Sequence, residues 1–319
     1  MNDQHTPIPL GILDMSPLLE QASPEEALER SVQLAIAAER WGYERFWLSE
    51  HHDIDGLACT APEVLIAHIG VRTSSIRLGA GAVLLPHYSA MKVAETFRML
   101  SALYPDRIDL GIGRAPGGSA HAAIGLSGNY LAHVAEMPAR VRDLRSLLED
   151  CYTVEGTAVL ARPLAAYTPQ LWLLGTNRKS ATLAAEHGAG YVFGHFMSTS
   201  DGQAAIAQYR EQFQPSRSQT DARVILAVKV ITAATEQRAE QLYNGWKRSP
   251  AGLAAIGEEM PEPIVGGPHT LSARMNKLLY EYDADELLLI CPLDRYDDRM
   301  HTYEYVAKWL LSDDVSAAQ

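Results

Sequence analysis

Eight short apolar runs alternate with amphipathic helical segments from one end of the chain to the other, and this rhythm constrains the fold more than any single motif. The runs are Ile8 to Met15, Tyr43 to Ser49, Ile76 to Leu85, Arg107 to Gly113, Leu171 to Leu174, Gly190 to Phe193, Arg223 to Thr232 and Glu286 to Cys291. Each is short enough for a buried strand and too short for a buried helix. Between them, apolar residues recur at helical spacing, as in Leu28, Val32, Ala35 and Ile36. That helix has Ser23 to cap it, Pro24 in its first turn and Gly42 to end it. Further helices are expected from about 61 to 73, 90 to 103, 179 to 187, 201 to 213 and 236 to 246. Strands separated by helices pair in parallel. Eight of them in 319 residues fit a closed (β/α)8 barrel, the TIM barrel, better than an open doubly wound sheet. The open sheet would also show a GxGxxG turn after its first strand, and none is there.

No linker divides the chain, so residues 1–319 are read as one barrel domain. Two stretches exceed what a minimal barrel needs: 115–132, rich in Gly, Ala and Ser, and 249–268, rich in Gly and Pro. Both are read as loops inserted at the C-terminal face, where long loops tend to be functional. The tail Ser312 to Gln319 is expected to fray.

Composition removes several classes of function. With 27 Lys and Arg against 39 Asp and Glu the formal charge is −12, which disfavours nucleic acid or an anionic membrane as the main partner. No apolar run has the length of a membrane span, and Met1 to Pro9 has no secretory pattern. Cys59, Cys151 and Cys291 are odd in number and widely spaced. They read as buried thiols in a reducing cytoplasm.

In a parallel barrel, chemistry gathers where strands end. The second strand ends in Glu50-His51-His52, with imidazoles able to transfer protons near neutral pH or simply to hydrogen-bond at a loop start. A shared metal is disfavoured, because adjacent strand residues face opposite ways. The fifth strand runs through Gly175-Thr176-Asn177 into a helix that starts near Ser180, giving either an anion site or an ordinary capped helix, with Arg114 on the neighbouring rim to supply donors. Gly266-Gly267-Pro268 is a rival phosphate loop. Met91, Met99, Leu100 and Leu103 form a stripe that reads as core or subunit interface. The acidic clusters 283–286 and 294–298 are expected to face solvent.

Taken in order, several segments resemble the bacterial luciferase-like flavin monooxygenases, in particular their single-chain oxidoreductase branch. These are Ile12-Leu13-Asp14-Met15-Ser16-Pro17, Trp47-Leu48-Ser49-Glu50-His51-His52, Ala61 to His68, Arg107 to Gly117, Trp172-Leu173-Leu174-Gly175 and Val265-Gly266-Gly267-Pro268. The resemblance implies a barrel that uses reduced FMN, usually supplied by a separate NAD(P)H:flavin reductase, together with O2 and a small organic substrate. It places His51 beside the reactive edge of the isoalloxazine, for proton transfer or hydrogen bonding, and makes His51 and Glu50 of the same motif the catalytic residues. It assigns the FMN phosphate to Arg114, Asn177 and Ser180, and sets Asp14, Met15, Ala80, Gly81 and Gly194 near the ring. A homodimer through helices near the second and third strands is also implied. The light-emitting members carry a cysteine just before the arginine. Here that position is Gly113, so light emission is not expected. The alternatives are a deazaflavin (F420) hydride-transfer enzyme, a flavin-binding protein without turnover, and a metal-dependent barrel hydrolase using His51 and His195.

Overall fold

The computed structural model describes residues 8–311; the tail expected to fray and the chain start through Pro7 lie outside the described residues. Eight strands form the barrel: β1 (Leu10–Asp14), β2 (Arg45–Leu48), β3 (Arg77–Leu84), β4 (Ile108–Gly113), β5 (Gln170–Gly175), β6 (Gly190–Phe193), β7 (Val224–Thr232) and β8 (Glu286–Ile290). All pair in parallel in the order 1 to 8, and β8 returns to β1 with Leu10 opposite Leu287, so the sheet closes. Most strand residues are buried, as strands covered by helices outside and packed side chains inside must be.

The helices are α1 (Pro24–Arg40), α2 (Pro62–Gly70), α3 (Ala90–Leu103), α4 (Ala120–Ser127), α5 (Tyr130–Ala135), α6 (Met137–Leu148), α7 (Arg178–Glu186), α8 (Gly202–Gln212), α9 (Glu236–Trp246), α10 (Pro250–Gly257), α11 (Leu271–Glu281) and α12 (Tyr296–Leu310). The Ser23 cap is in place, its hydroxyl accepting from the Glu26 N–H.

Both expected loops are structured instead. The first holds α4 and α5, capped by Ser119 and Asn129. The second holds α10, capped by Ser249 with Pro250 in its first turn, and then a strand, Ile264–Gly266, that pairs in parallel with the upper end of β7. The small residues that suggested loops include many alanines, the best helix formers, placed directly after capping serines.

The barrel interior is layered. At its N-terminal end the buried Arg45 guanidinium donates to Glu286 (2.6 and 3.0 Å) and to Asp109 (2.5 Å), and it lies against the rings of Trp47 and Trp172. Glu286 was expected at the surface with its acidic neighbours; it is fully buried, whereas Asp283, Asp285 and Asp294 are exposed. Its position explains this: as the first residue of β8 it points inward, where Arg45 compensates its charge. Above this plug lies an apolar layer that includes Leu13, Trp47, Trp172, Val192, Ile225 and Leu288. Cys59 and Cys291 are buried as expected, but Cys151, just beyond α6, is exposed. Of the α3 stripe only Leu100 is core; Met99 and Leu103 are exposed.

Candidate active site

Above the apolar layer the barrel opens into a cavity of about 380 Å³ at the C-terminal ends of the strands, within the range of small-molecule sites. Its room comes from small residues at the rim. Gly81 faces Leu13 and Trp47, where a Cβ would meet the Leu13 side chain at 2.9 Å, and Gly113 faces Ala82. Ten of the twelve residues singled out by sequence lie in its wall: Met15, Glu50, His51, Gly81, Arg114, Gly175, Thr176, Asn177, Ser180 and Gly194.

Asp14 and Ala80 do not. The strand pleat turns Leu13, Met15 and Gly81 inward and these two outward. Ala80 joins the core between barrel and helices. Asp14, 1% exposed, accepts from Ser31 of α1 (2.5 Å) and Arg299 of α12 (2.6 Å). It ties the first strand to the first and last helices.

At one end of the cavity stands His51. Its backbone N–H donates to the Cys59 carbonyl (3.1 Å), and its Nδ1 shares a hydrogen bond with Ser49 Oγ (3.0 Å), which leaves the far side of the ring to the cavity. Burial, and secondarily the neighbouring His52, holds the imidazole below its ordinary pKa, so it is neutral at neutral pH. Glu50 is 3% exposed and its carboxylate is saturated: it accepts from the Tyr88 hydroxyl (2.7 Å), His52 Nε2 (2.8 Å) and the Leu84 N–H (3.0 Å). These contacts bind the end of β2 to the end of β3. Tyr88 belongs to the strand-three end Pro86-His87-Tyr88, where the sequence also gathers polar groups, and Ser49 precedes His51 by two residues just beyond β2; the sequence assigns a role to neither.

At the other end is the start of α7. The Asn177 side chain accepts from the N–H groups of Lys179 and Ser180, and the Ser180 hydroxyl donates to the Asn177 carbonyl (2.7 Å). A Cβ on Gly175 would overlap Ser180 Oγ, so the turn needs glycine there. The capped-helix reading therefore holds for these two side chains. What the cap leaves free is charge. Arg114 is exposed with no carboxylate in ion-pair range among the described residues, and Lys179, unremarked from sequence, lines an adjoining cleft with Arg114 and Ser180. The rival phosphate loop is already filled. The Glu236 carboxylate accepts from the N–H groups of Gly267 (2.7 Å), His269 and Thr270 and from the Thr270 hydroxyl.

The first insertion docks on this rim. The His52 N–H donates to the Gly117 carbonyl (2.7 Å), Ser119 donates to Asp53 (2.6 Å), and His87 stacks on Tyr130. A Cβ on Gly118 would overlap the His52 carbonyl oxygen. Among the described residues no group of three or more His, Cys, Asp or Glu is gathered to hold a metal, so the hydrolase alternative finds no ligand set.

A closed parallel barrel with a polar-ended cavity at its C-terminal mouth has the architecture of the (β/α)8 barrels that carry their sites at that face. The comparisons narrow the class. The chain belongs to the luciferase-like monooxygenase family, whose model matches residues 8–288. It is 37% identical to the uncharacterized protein YceB of Bacillus subtilis (strain 168), covering 95% of this chain and all of that one. It is 32% identical to the N-acetyl-S-alkylcysteine monooxygenase of the same organism, over 98% of this chain and 99% of the relative. The crystal structure of apo-MsnO8 superposes with a TM-score of 0.82 at 34% identity, covering 94% of this chain and 98% of the other. Among the described residues no helix is long and apolar enough to cross a membrane.

Proposed function

We propose that the protein is an FMN-dependent monooxygenase that inserts one oxygen atom of O2 into a small organic substrate. The observation that carries this reading is the two-ended cavity: the unpaired cation Arg114 at the strand four to five rim, with Lys179 beside it in the adjoining cleft, and a neutral, half-tethered imidazole, His51, on the strand two rim. Gly81 and Gly113 line the cavity without side chains, and a Cβ at either would press on Leu13, Trp47 or Ala82, so the wall there stays smooth, as suits a flat ring system.

When bound, reduced FMN supplies the electrons that activate O2, and one oxygen atom leaves as water. Arg114 and Lys179 would hold its phosphate. His51, aligned by Ser49, holds or moves a proton at its free ring nitrogen. Glu50 keeps that loop in place through Tyr88, His52 and the Leu84 amide, and the docked first insertion limits the entry of water. The Bacillus relative's name, N-acetyl-S-alkylcysteine monooxygenase, supports a thioether among the candidate substrates.

Reduced flavin would come from a separate reductase, and a reducing cytoplasm suits the three unpaired cysteines. A homodimer is inferred through α2 and α3. These pack together and expose Val71 (72%) and Leu103 (58%) as well as Val64 and Met99; sedimentation should show two chains.

The test of the cofactor is a titration of FMN, riboflavin and F420, each oxidised and reduced. FMN should bind, and Arg114→Ala should weaken it by about tenfold, as loss of a charge-assisted contact does. Riboflavin, without the phosphate, should be indifferent to the substitution. Preference for F420 would favour the hydride-transfer alternative.

A further inference from the structure

Strand β7 turns Ile225 and Ala227 into the barrel, and Ala227 lines the cavity. The next inward position on the same pleat is Lys229, one step closer to the mouth. Its Nζ lies 5.8 Å from the centre of the Trp246 ring, within cation–π range. Among the described residues no carboxylate comes within ion-pair distance of it, and no hydrogen bond holds it. Burial lowers its pKa, and Glu258, at the end of α10, acts only through space to raise it. Beside it stands His195, on the short turn His195–Met197 that packs against β7 and sends Phe196 and Met197 into the cavity wall. Burial first, then Lys229 itself, keeps that imidazole below its ordinary pKa.

The barrel order sets β6 and β7 across the ring from β2 and β3, so Lys229, one inward step beyond the cavity-lining Ala227, stands across the barrel from His51 just outside the cavity wall. The phosphate-side cations, Arg114 and Lys179, belong to the β4–β5 rim. Lys229 is therefore a separate positive point next to an otherwise apolar stretch of wall formed by Ala227, Val192 and Phe196. A partly buried ammonium without a counter-ion is costly unless an anion completes it.

We propose that Lys229 anchors a carboxylate of the substrate, with His195 beside it, so that the enzyme takes small carboxylic acids and presents their oxidisable atom toward His51. The orientation toward His51 rests on the monooxygenase reading; the anchor itself does not.

The experiment is calorimetric binding of N-acetyl-S-benzylcysteine and its primary amide to the full chain, with and without saturating FMN. The acid should bind about tenfold or more tighter than the amide, the worth of one charge-assisted hydrogen bond. Lys229→Met should erase the difference, and Lys229→Arg should restore it, with thermal melting recorded for each; Lys229→Gln serves if the Met variant does not fold. A wild type that binds both equally or neither, or a Met or Gln variant that keeps the preference, overturns the proposal. Failure of FMN to bind while the acid preference stands would remove the flavin reading and leave the anchor intact.

Discussion

A histidine that is to exchange protons at a barrel mouth needs one ring nitrogen tethered and the other free, and a pKa that keeps it neutral at work. His51 has the tether in Ser49, and burial supplies the pKa. If the neutral imidazole is the active form, kcat/KM should stay flat above pH 6.5, the ordinary histidine value, and fall only at lower pH, because the group protonates below that value in the folded protein. His51→Ala should lower turnover by about a hundredfold or more while FMN affinity holds. An acid limb at or above pH 6.5 in the wild type would show that another group governs the rate. At this scale the sequence located the right strand ends but not always the direction of the side chain. Asp14 and Ala80 sit one residue from true wall positions and point the opposite way. Strand ends are easily placed by pattern, whereas which pleat faces inward depends on the closed sheet. Glu50 shows a different limit: that it would be consumed by three donors depended on Tyr88 and Leu84, which are close in space and distant in sequence.

Elements were more legible than their decoration. All eight strands fall where the apolar runs placed them, because strands buried on both faces leave no polar alternation to confuse the signal. The two inserted stretches hold helices where the sequence suggests loops, since glycine and proline there obscure alanine-rich helices whose capping serines are present in the sequence. The correction alters what can be removed. Ile264–Gly266 is paired to β7, and the following turn is held by Glu236, so deleting all of 249–268 would damage the barrel. Replacing only Pro250–Gly257 by a short Gly-Ser linker should spare it. That helix exposes Leu253 and Ile256 and ends near Lys229, as expected of a cover over the mouth. The replaced enzyme should bind FMN as before but release a larger share of consumed oxygen as hydrogen peroxide, measured by oxygen electrode with and without catalase. Unchanged coupling would mean that α10 does not shield the site.

For the whole molecule, the decisive feature is that the barrel is sealed at its N-terminal end by charge, not by hydrocarbon. Arg45, Asp109 and Glu286 come from β2, β4 and β8 and meet only because the sheet closes. No local pattern could reveal them. Burial alone would raise the Asp109 carboxyl, but Arg45 and Arg77 outweigh it and hold it below its ordinary value. Its share of stability is thus fully present above the unfolded carboxylate pKa and is lost as pH falls through the lower folded value. In Arg45→Met, Glu286 loses both its close donors and keeps only Arg223 at 3.9 Å while it stays buried, which should cost about 3–5 kcal/mol at pH 7. The variant also lacks the stronger of the two cations that lower Asp109, so acidification should weaken it less than the wild type. Urea unfolding at neutral pH and again near the carboxylate range should therefore show the gap between the two proteins closing as pH falls. A gap that stayed constant would mean that the plug contributes through packing against Trp47 and Trp172 and not through its charges.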